Sequence, residues 1–249
     1  MLKSSEKDLC VIIPCAGLGT RLGLHFPKEL FPLEAGVVLI DHCFSLLKPV
    51  KHRVRIVIVI QRSKLEIIQY LEKYILDFEI VFIYQSPKNQ EMIGAILSAQ
   101  NLFLQNNLVM FPDTLIKPKG QAIDLITETC NLLKSENGCV FWVKYETNVN
   151  TLLREGTLNI KNHNGQLRVL DYIDKPKKIE PFFNGYWGAF AFHTKKANEV
   201  LNIMQKIIQQ DSSCDFKKTF LRGSPAIEIK ESIDLGVWEA IKSYMGGIT

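Results

Sequence analysis

The chain has 249 residues, of which 47% are hydrophobic and 22% are charged, as in an ordinary globular protein with a sizeable core. Its formal net charge of +4 is a mild excess that suits anionic substrates. Because this excess is small and no dense basic run with interleaved aromatic residues occurs, we expect no binding to nucleic acid.

The first half of the chain alternates between strand-like and helix-like segments. Apolar, β-branched runs predict strands, and apolar residues at helical spacing predict helices. In chain order these are a strand at 9–13, a helix at 39–47, a strand at 54–60, a helix capped by Ser63 and extending to 75, a strand at 79–84, a helix at 92–104, a strand at 107–111, a helix at 122–133 and a strand at 139–144. This alternation predicts an α/β fold with a Rossmann-like, mostly parallel sheet flanked by helices.

The second half has a different pattern. Segments 158–161 and 167–173 flank the turn-rich residues 162–165 and predict an antiparallel hairpin. A strand at 184–193, a helix at 197–209, a strand at 226–229 and a helix at 237–245 follow. No flexible linker or repeat is evident. We therefore predict a single domain over 1–249, with a nucleotide-binding half at about 1–145 and an antiparallel, acceptor-binding half at about 146–249.

Residues 14–33, which read PCAGLGTRLGLHFPKELFPL, directly follow the first strand. Glycines in such a loop allow a tight turn and close approach of a ligand, and their amides can bind an anion. Arg21 and Lys28 add two positive charges, so this region suits a nucleoside triphosphate. The loop residues predicted to contact it are Ala16, Gly17, Leu18, Gly19 and Thr20. The alternative is a glycine turn beside two solvated surface cations.

Two common glycine motifs do not fit this loop. A dinucleotide-binding fingerprint requires its third glycine where Leu22 stands, one place before Gly23, and no Walker A sequence follows Gly17. The G-x-G-T-R and P-K-E-L pattern instead resembles the signature of the sugar-1-phosphate nucleotidyltransferases, which include glucose-1-phosphate thymidylyl- and uridylyltransferases. The resemblance implies their fold, which is similar to GT-A, and transfer of a nucleotidyl group from a nucleoside triphosphate to a sugar 1-phosphate.

Two acidic residues match metal-binding positions of that family. Asp113 lies at the end of the fourth predicted strand, in the segment LVMFPDTL, which resembles a strand followed by Gly-Asp-Asn. Asp234 lies in SIDLGVWEA, which is similar to a late W-x-D-x-G-T-x-E-A motif. The resemblance implies that both carboxylates bind Mg²⁺, a hard cation that prefers oxygen ligands. A turn aspartate and a helix cap are the structural alternatives.

Further matches concern the two substrates. Gln85 and Gly94 lie in a segment that resembles the family's base-binding region, and the family's glutamine reads a pyrimidine. Asp174 and Lys175 resemble its E-K-P motif, which implies binding of the sugar hydroxyls and of the sugar phosphate. The glycine-aromatic strand that contains Gly185 and Tyr186 resembles the strand that lines the sugar pocket.

Other functions remain open at this stage. A short loop between Arg21 and Pro27 is more like that of cytidylyltransferases that act on phospho-alcohols, and a catalytically silent nucleotide-sugar sensor is a third hypothesis. A GT-A glycosyltransferase is less well supported because no D-x-D motif occurs. The sequence leaves open which base and which sugar are bound, and whether the chain forms a homo-oligomer.

The remaining features predict a cytoplasmic location. The six cysteines form no C-x-x-C pair, which predicts reduced thiols and no zinc site. Polar residues 1–8 do not resemble a signal peptide, and no apolar run approaches membrane-spanning length.

Overall fold

A computed structural model describes residues 7–88, 90–135 and 138–246; the polar N-terminus at 1–6 lies outside them. Twelve strands and seven α-helices are formed by these residues. In chain order they are β1 (Leu9–Pro14), β2 (Pro32–Glu34), β3 (Val37–Val38), α1 (Asp41–Leu47), β4 (Val54–Ile60), α2 (Leu65–Leu71), β5 (Glu79–Tyr84), α3 (Glu91–Ser98), β6 (Asn106–Val109), β7 (Thr114–Pro118), α4 (Ala122–Ser135), β8 (Cys139–Tyr145), α5 (Val149–Leu152), β9 (Gly156–His163), β10 (Gln166–Asp174), β11 (Gly185–His193), α6 (Ala197–Ile208), β12 (Ser224–Asp234) and α7 (Trp238–Gly246).

The chain forms two compact units that do not follow its linear halves. The first unit contains residues 1–104, 109–116 and 232–249, and the second contains 105–108 and 117–231. The sequence predicted a single domain whose nucleotide-binding and acceptor-binding halves meet at about residue 145. The C-terminal segment instead belongs with the N-terminal residues, and this assignment places the two predicted metal-binding aspartates in one unit.

The first unit is built on the parallel strands β5, β4 and β1, in that order. The β-branched residues of β1 and β4 are almost wholly buried, which explains their continuous apolar sequence. Residue Met110 donates its amide to the carbonyl of Ile12, so the segment that leads to Asp113 runs beside β1. The predicted parallel sheet of the first half is confirmed here.

The second unit is mostly antiparallel. Strand β8 pairs with β11 in antiparallel and with β12 in parallel orientation, and β10 pairs in antiparallel orientation with both β9 and β12. The predicted β9–β10 hairpin is confirmed. In its turn, Asn164 and Gly165 have positive φ angles of 52° and 86°, and Asn162 Oδ1 accepts a hydrogen bond from the Gly165 amide.

Some sequence-based boundaries were wrong. Helix α2 begins after Lys64, and Ser63 does not cap it. The helix predicted at 92–104 ends at Ser98 and is followed by a short 3₁₀ turn. The last strand, β12, is much longer than residues 226–229. Among the described residues, no helix has the length and apolar character needed to cross a membrane.

Candidate active site

A groove in the first unit lies beyond the carboxyl ends of its parallel strands, where ligands bind in open α/β sheets. The end of β1 and the glycine loop form one wall, and residues after β4 and β5 form another. Its charged lining residues are two basic ones, Lys28 and Arg62, and two acidic ones, Glu91 and Asp113. Basic and acidic groups therefore meet in this groove, a combination that suits an anion accompanied by a metal ion.

The glycine loop contributes exposed backbone to this groove. Ala16, Gly17 and Leu18 line it, and a Cβ atom built on Gly17 would have no neighbour within 4 Å. Gly19 has a positive φ of 67°, which glycine adopts without strain. Gly19 and Thr20 begin the turns that follow, because their carbonyls accept hydrogen bonds from the amides of Leu22 and Gly23, each three residues further along the chain.

Trp238, the first residue of α7, contacts the segment that follows the glycine loop. The indole Nε1 of Trp238 donates a hydrogen bond of 3.0 Å to the carbonyl of Leu22, directly after Arg21. The same indole packs edge-on against Phe31, with ring centroids 5.7 Å apart. Leu22 is itself buried with Leu235 and other apolar residues of the first unit. The end of the chain thus fixes the segment that carries Arg21.

Lys28 is paired with the first of the two predicted metal ligands. Its Nζ lies 2.5 Å from Asp113 Oδ2, and the two side chains are only 15% and 13% exposed. Burial by itself lowers the pKa of Lys28, but the Asp113 carboxylate outweighs it, so the pKa is raised. Lys28 is therefore a fixed positive charge at the groove rather than a solvated surface cation.

The second predicted metal ligand, Asp234, lies beside the first. A Cβ atom on Gly236 would stand 2.8 Å from Asp234 Oδ1, 3.0 Å from Asp113 Oδ2 and 3.2 Å from an Arg21 Nη2 atom. The two carboxylate oxygens are thus no further apart than the sum of the first two distances. The Leu235 amide also donates a 2.7 Å hydrogen bond to the Asp113 carbonyl, which joins the two segments.

The environment of Asp234 reflects this crowding. Burial raises its pKa, and the nearby Asp113 carboxylate raises it further. The Gly236 amide, which donates a 2.7 Å hydrogen bond to Asp234 Oδ1, and the cations of Arg21 and Lys28 oppose the rise. Two acidic groups therefore share a partly buried space that favours an additional positive charge.

This donor set fits a magnesium ion. Mg²⁺ is usually held by one or two carboxylates and completes its shell with water and substrate phosphate oxygens. Among residues 7–88, 90–135 and 138–246, no group of three or more His, Cys, Asp or Glu side chains could hold a metal. The carboxylate oxygens of two aspartates are ligands of the kind that a hard cation prefers.

The two predicted base-binding residues, Gln85 and Gly94, are placed differently with respect to this groove. Gln85 lines it, and its Nε2 donates a 2.9 Å hydrogen bond to the carbonyl of Glu91. Gly94 is buried within α3, and the next residue, Ala95, reaches the groove. The amide nitrogen of Gln85 thus helps to hold the loop that leads into α3.

The predicted acceptor-binding residues belong to the second unit. Asp174 ends β10 and is nine-tenths buried, so burial raises its pKa while the charge of Lys175 lowers it. Lys175 is exposed and has a left-handed φ of 42°, an uncommon conformation outside glycine. Gly185 and Tyr186 are buried in β11, and a Cβ atom on Gly185 would lie 2.5 Å from the Lys144 carbonyl oxygen.

Two groove residues, Arg62 and Tyr84, belong to none of the sequence motifs described above. Arg62 lies over the ring of Tyr84, with its Cζ atom 5.8 Å from the ring centroid, and Tyr84 is 51% exposed. An aromatic residue at the exposed end of a half-buried strand is the signal that could have indicated this feature. Beneath the groove, Lys64 and Glu29 form a buried ion pair. Their partnership could not be inferred from two isolated charged residues.

Comparison with known proteins assigns the family. A model of the MobA-like NTP transferase domain matches residues 11–145, which is more than half of the chain. The protein belongs to this family. Its match covers the glycine loop, Lys28, Gln85 and Asp113, while Asp234 lies beyond it. A search among curated proteins found no match.

Solved structures extend the likeness of this NTP transferase over nearly the whole chain. A UDP-glucose pyrophosphorylase from Acinetobacter baumanii is 18% identical with a TM-score of 0.72, over 96% of this chain and 92% of that one. A Bacillus anthracis protein described as a glucose-1-phosphate thymidylyltransferase is 16% identical with a TM-score of 0.74, over 96% and 94%. A UDP-glucose pyrophosphorylase complexed with UDP-glucose is 16% identical with a TM-score of 0.69, over 97% and 98%. These matches confirm the predicted fold class.

Proposed function

We propose that this NTP transferase is a Mg²⁺-dependent enzyme that transfers a nucleotidyl group from a nucleoside triphosphate to a sugar 1-phosphate and releases pyrophosphate. The observation that carries the proposal is the meeting of Asp113, Asp234 and Arg21 around Gly236, with Lys28 paired to Asp113. Two acids and two cations beside a glycine loop suit a metal-bound polyphosphate.

The donor nucleotide would occupy the groove of the first unit. The exposed residues Gly17 and Leu18 would approach its phosphates, and Lys28 and Arg21, which lie beside Asp113 and Gly236, would neutralise charge that grows on the leaving pyrophosphate. Tyr84 and Arg62 offer a flat surface for the base at the other end of the groove, beside Gln85. We infer that the base is a pyrimidine from the resemblance of the Gln85 segment to that of the family.

Asp113 and Asp234 would hold the Mg²⁺ ion. When bound, it would polarise the α-phosphoryl group and neutralise phosphate charge, which makes attack by an oxygen nucleophile easier. The protein need not form a covalent bond. Its residues would align the α-phosphorus and the attacking phosphate oxygen, and such positioning contributes much of the rate enhancement in phosphoryl chemistry.

The acceptor phosphate would bind to residues of the second unit. Lys175, a strand-end cation in a strained backbone conformation, would bind this phosphate, and Asp174 would accept hydrogen bonds from sugar hydroxyls. The UDP-glucose pyrophosphorylase of similar fold was solved with UDP-glucose, and a related structure from Acinetobacter baumannii was solved with UTP. These ligands are consistent with the proposed substrates and with a role in making nucleotide sugars.

A pyrophosphate-release screen tests the proposal. The purified protein is assayed with UTP, dTTP, CTP, GTP and ATP, each combined with a panel of sugar 1-phosphates, in Mg²⁺ and in excess EDTA. Turnover with one pair in Mg²⁺, and its loss in EDTA and in Asp113→Ala, is expected. The matched control is Asp77→Ala, which removes an exposed carboxylate paired with Lys51 outside the groove.

The same screen separates the alternatives left by the sequence. A second panel contains phospho-alcohols in place of sugar phosphates. Turnover of CTP with only this panel would replace the sugar-phosphate proposal with a cytidylyltransferase. Tight binding of a nucleotide sugar without any pyrophosphate release would instead indicate a sensor. Full turnover in excess EDTA would exclude the proposed metal role.

A further inference from the structure

A buried ammonium group lies beneath the nucleotide groove. Lys64 is only 6% exposed, and its Nζ donates hydrogen bonds of 2.8 and 2.9 Å to the two carboxylate oxygens of Glu29. The same Nζ donates a third hydrogen bond, of 2.8 Å, to the carbonyl of Cys15. All three of its hydrogens therefore have acceptors, and Glu29 is completely buried.

These three residues each adjoin a segment that lines the groove. Cys15 directly precedes the glycine loop residues Ala16 and Gly17. Glu29 follows Lys28, the cation that is paired with Asp113. Lys64 closes a turn after β4, in which its amide donates a 3.0 Å hydrogen bond to the carbonyl of Gln61, a groove residue. One ammonium group therefore joins three chain segments that contribute residues to the groove.

Stability alone is a weak reason for such a pair. Removing two charges from water costs several kcal/mol per ion, and replacing a buried ion pair by apolar residues of similar volume is often neutral or stabilising. Neither side chain lines the groove, so neither would touch a ligand there. Apolar residues would not reproduce the hydrogen bonds by which the Lys64 ammonium group joins the Cys15 carbonyl to the Glu29 carboxylate.

We propose that Glu29 and Lys64 are positioning residues that set the spacing between the glycine loop and Lys28, and so determine how tightly the groove binds the phosphates of a nucleoside triphosphate. This inference rests on the proposed function. It also gives Glu29 a structural role: this acid, which follows Lys28, pairs with Lys64, the buried cation directly before α2.

Inorganic tripolyphosphate with Mg²⁺ is a suitable probe because it lacks a base and a sugar. Its affinity is measured by calorimetry for wild type and for the double variant Glu29→Met/Lys64→Met, which replaces both charges by apolar side chains of similar length. We expect the melting temperature to remain within a few degrees of wild type and the affinity to fall about tenfold or more. Unchanged affinity would overturn the inference.

A mutant cycle with Lys28 distinguishes positioning from a general structural effect. If the pair acts by placing Lys28, Lys28→Ala should weaken tripolyphosphate binding much less in the double variant than in wild type. Equal losses in both backgrounds would contradict the proposal. The control is Lys51→Met/Asp77→Met, which removes an exposed ion pair of the same unit. It should change neither the affinity for tripolyphosphate nor the loss of affinity that Lys28→Ala causes.

Two further results complete the test. Glu29→Gln keeps the shape of the pair and one acceptor for Lys64, so it decides the question if the double variant does not fold. A loss of several-fold is expected, and wild-type affinity would count against the inference. If wild type itself does not bind tripolyphosphate, the proposed function fails together with the inference. If wild type binds tripolyphosphate and the variants bind it with the same affinity, the proposed function is unaffected and only the inference is rejected.

Discussion

Lys28 Nζ and Asp113 Oδ2 lie 2.5 Å apart although 85 positions separate the two residues in the chain. Asp113 also stands beside Asp234, so Lys28 neutralises one of two crowded acids. The pair has a consequence for both metal binding and stability. If Asp113 binds a metal as proposed, Lys28 compensates its charge in the metal-free protein and remains close to any phosphate that arrives with the metal.

The first prediction concerns this cation. In EDTA, Lys28→Ala should lower the free energy of unfolding by about 2 kcal/mol, because Asp113 loses a partly buried, charged partner. Addition of Mg²⁺ should raise the melting temperature more in the variant than in wild type, while turnover stays at least about a hundredfold lower. Thermal melts in EDTA and in Mg²⁺ measure this. Lys51→Ala, at an exposed pair, is the control, and equal Mg²⁺ shifts in all three proteins would contradict the prediction.

The second prediction concerns Gly236. Its φ is not in the left-handed region, so the only obstacle to alanine is space: the new Cβ would meet oxygens of Asp234 and Asp113 at 2.8 and 3.0 Å. Gly236→Ala should therefore separate the two carboxylates and lower Mg²⁺-dependent turnover by about tenfold or more. Gly120→Ala, where a Cβ would have no neighbour within 4 Å, should be unaffected. Normal Mg²⁺ dependence in Gly236→Ala would show that the carboxylates do not act together.

The third prediction concerns pH and follows from the raised pKa of Asp234, caused first by burial and then by Asp113. An acid whose pKa is higher in the folded state than in the unfolded state destabilises the fold once it ionises. In EDTA, the melting temperature of wild type should therefore fall relative to that of Asp234→Asn as the pH rises through and above 3.8, the ordinary value. A difference that stays constant with pH would show that Asp234 titrates normally.

The fourth prediction concerns the acceptor. Lys175→Ala should weaken binding of the sugar 1-phosphate by about ten- to a hundredfold, which corresponds to the loss of one charged phosphate contact. Affinity for the nucleoside triphosphate should change little. Calorimetric titration with each substrate measures both effects. Lys178→Ala, an exposed lysine three residues further along the chain, is the control, and a loss of nucleotide affinity in Lys175→Ala would reverse the assignment of the two substrates.

Local features of the chain could be predicted from its sequence. The buried strands β1 and β4 follow from continuous β-branched runs, and the β9–β10 turn follows from residues 162–165, which tolerate positive φ. The glycine loop after β1 was likewise evident, since its turns depend on residues that are close in sequence. The resemblance to sugar-1-phosphate nucleotidyltransferases added Asp113 and Asp234 as separate motifs, and the structure places them side by side.

Partnerships between distant residues depended on the tertiary structure. Ser63 has the side chain of a helix cap, yet α2 begins after Lys64, whose buried ammonium group bonds to Glu29 and Cys15. A sequence pattern reports the local preference of the backbone and the side of an element that is buried. The pairing of one buried charge with another depends on which loops the packed sheet brings together, and burial then makes that partner obligatory because an unpaired charge away from water is too costly.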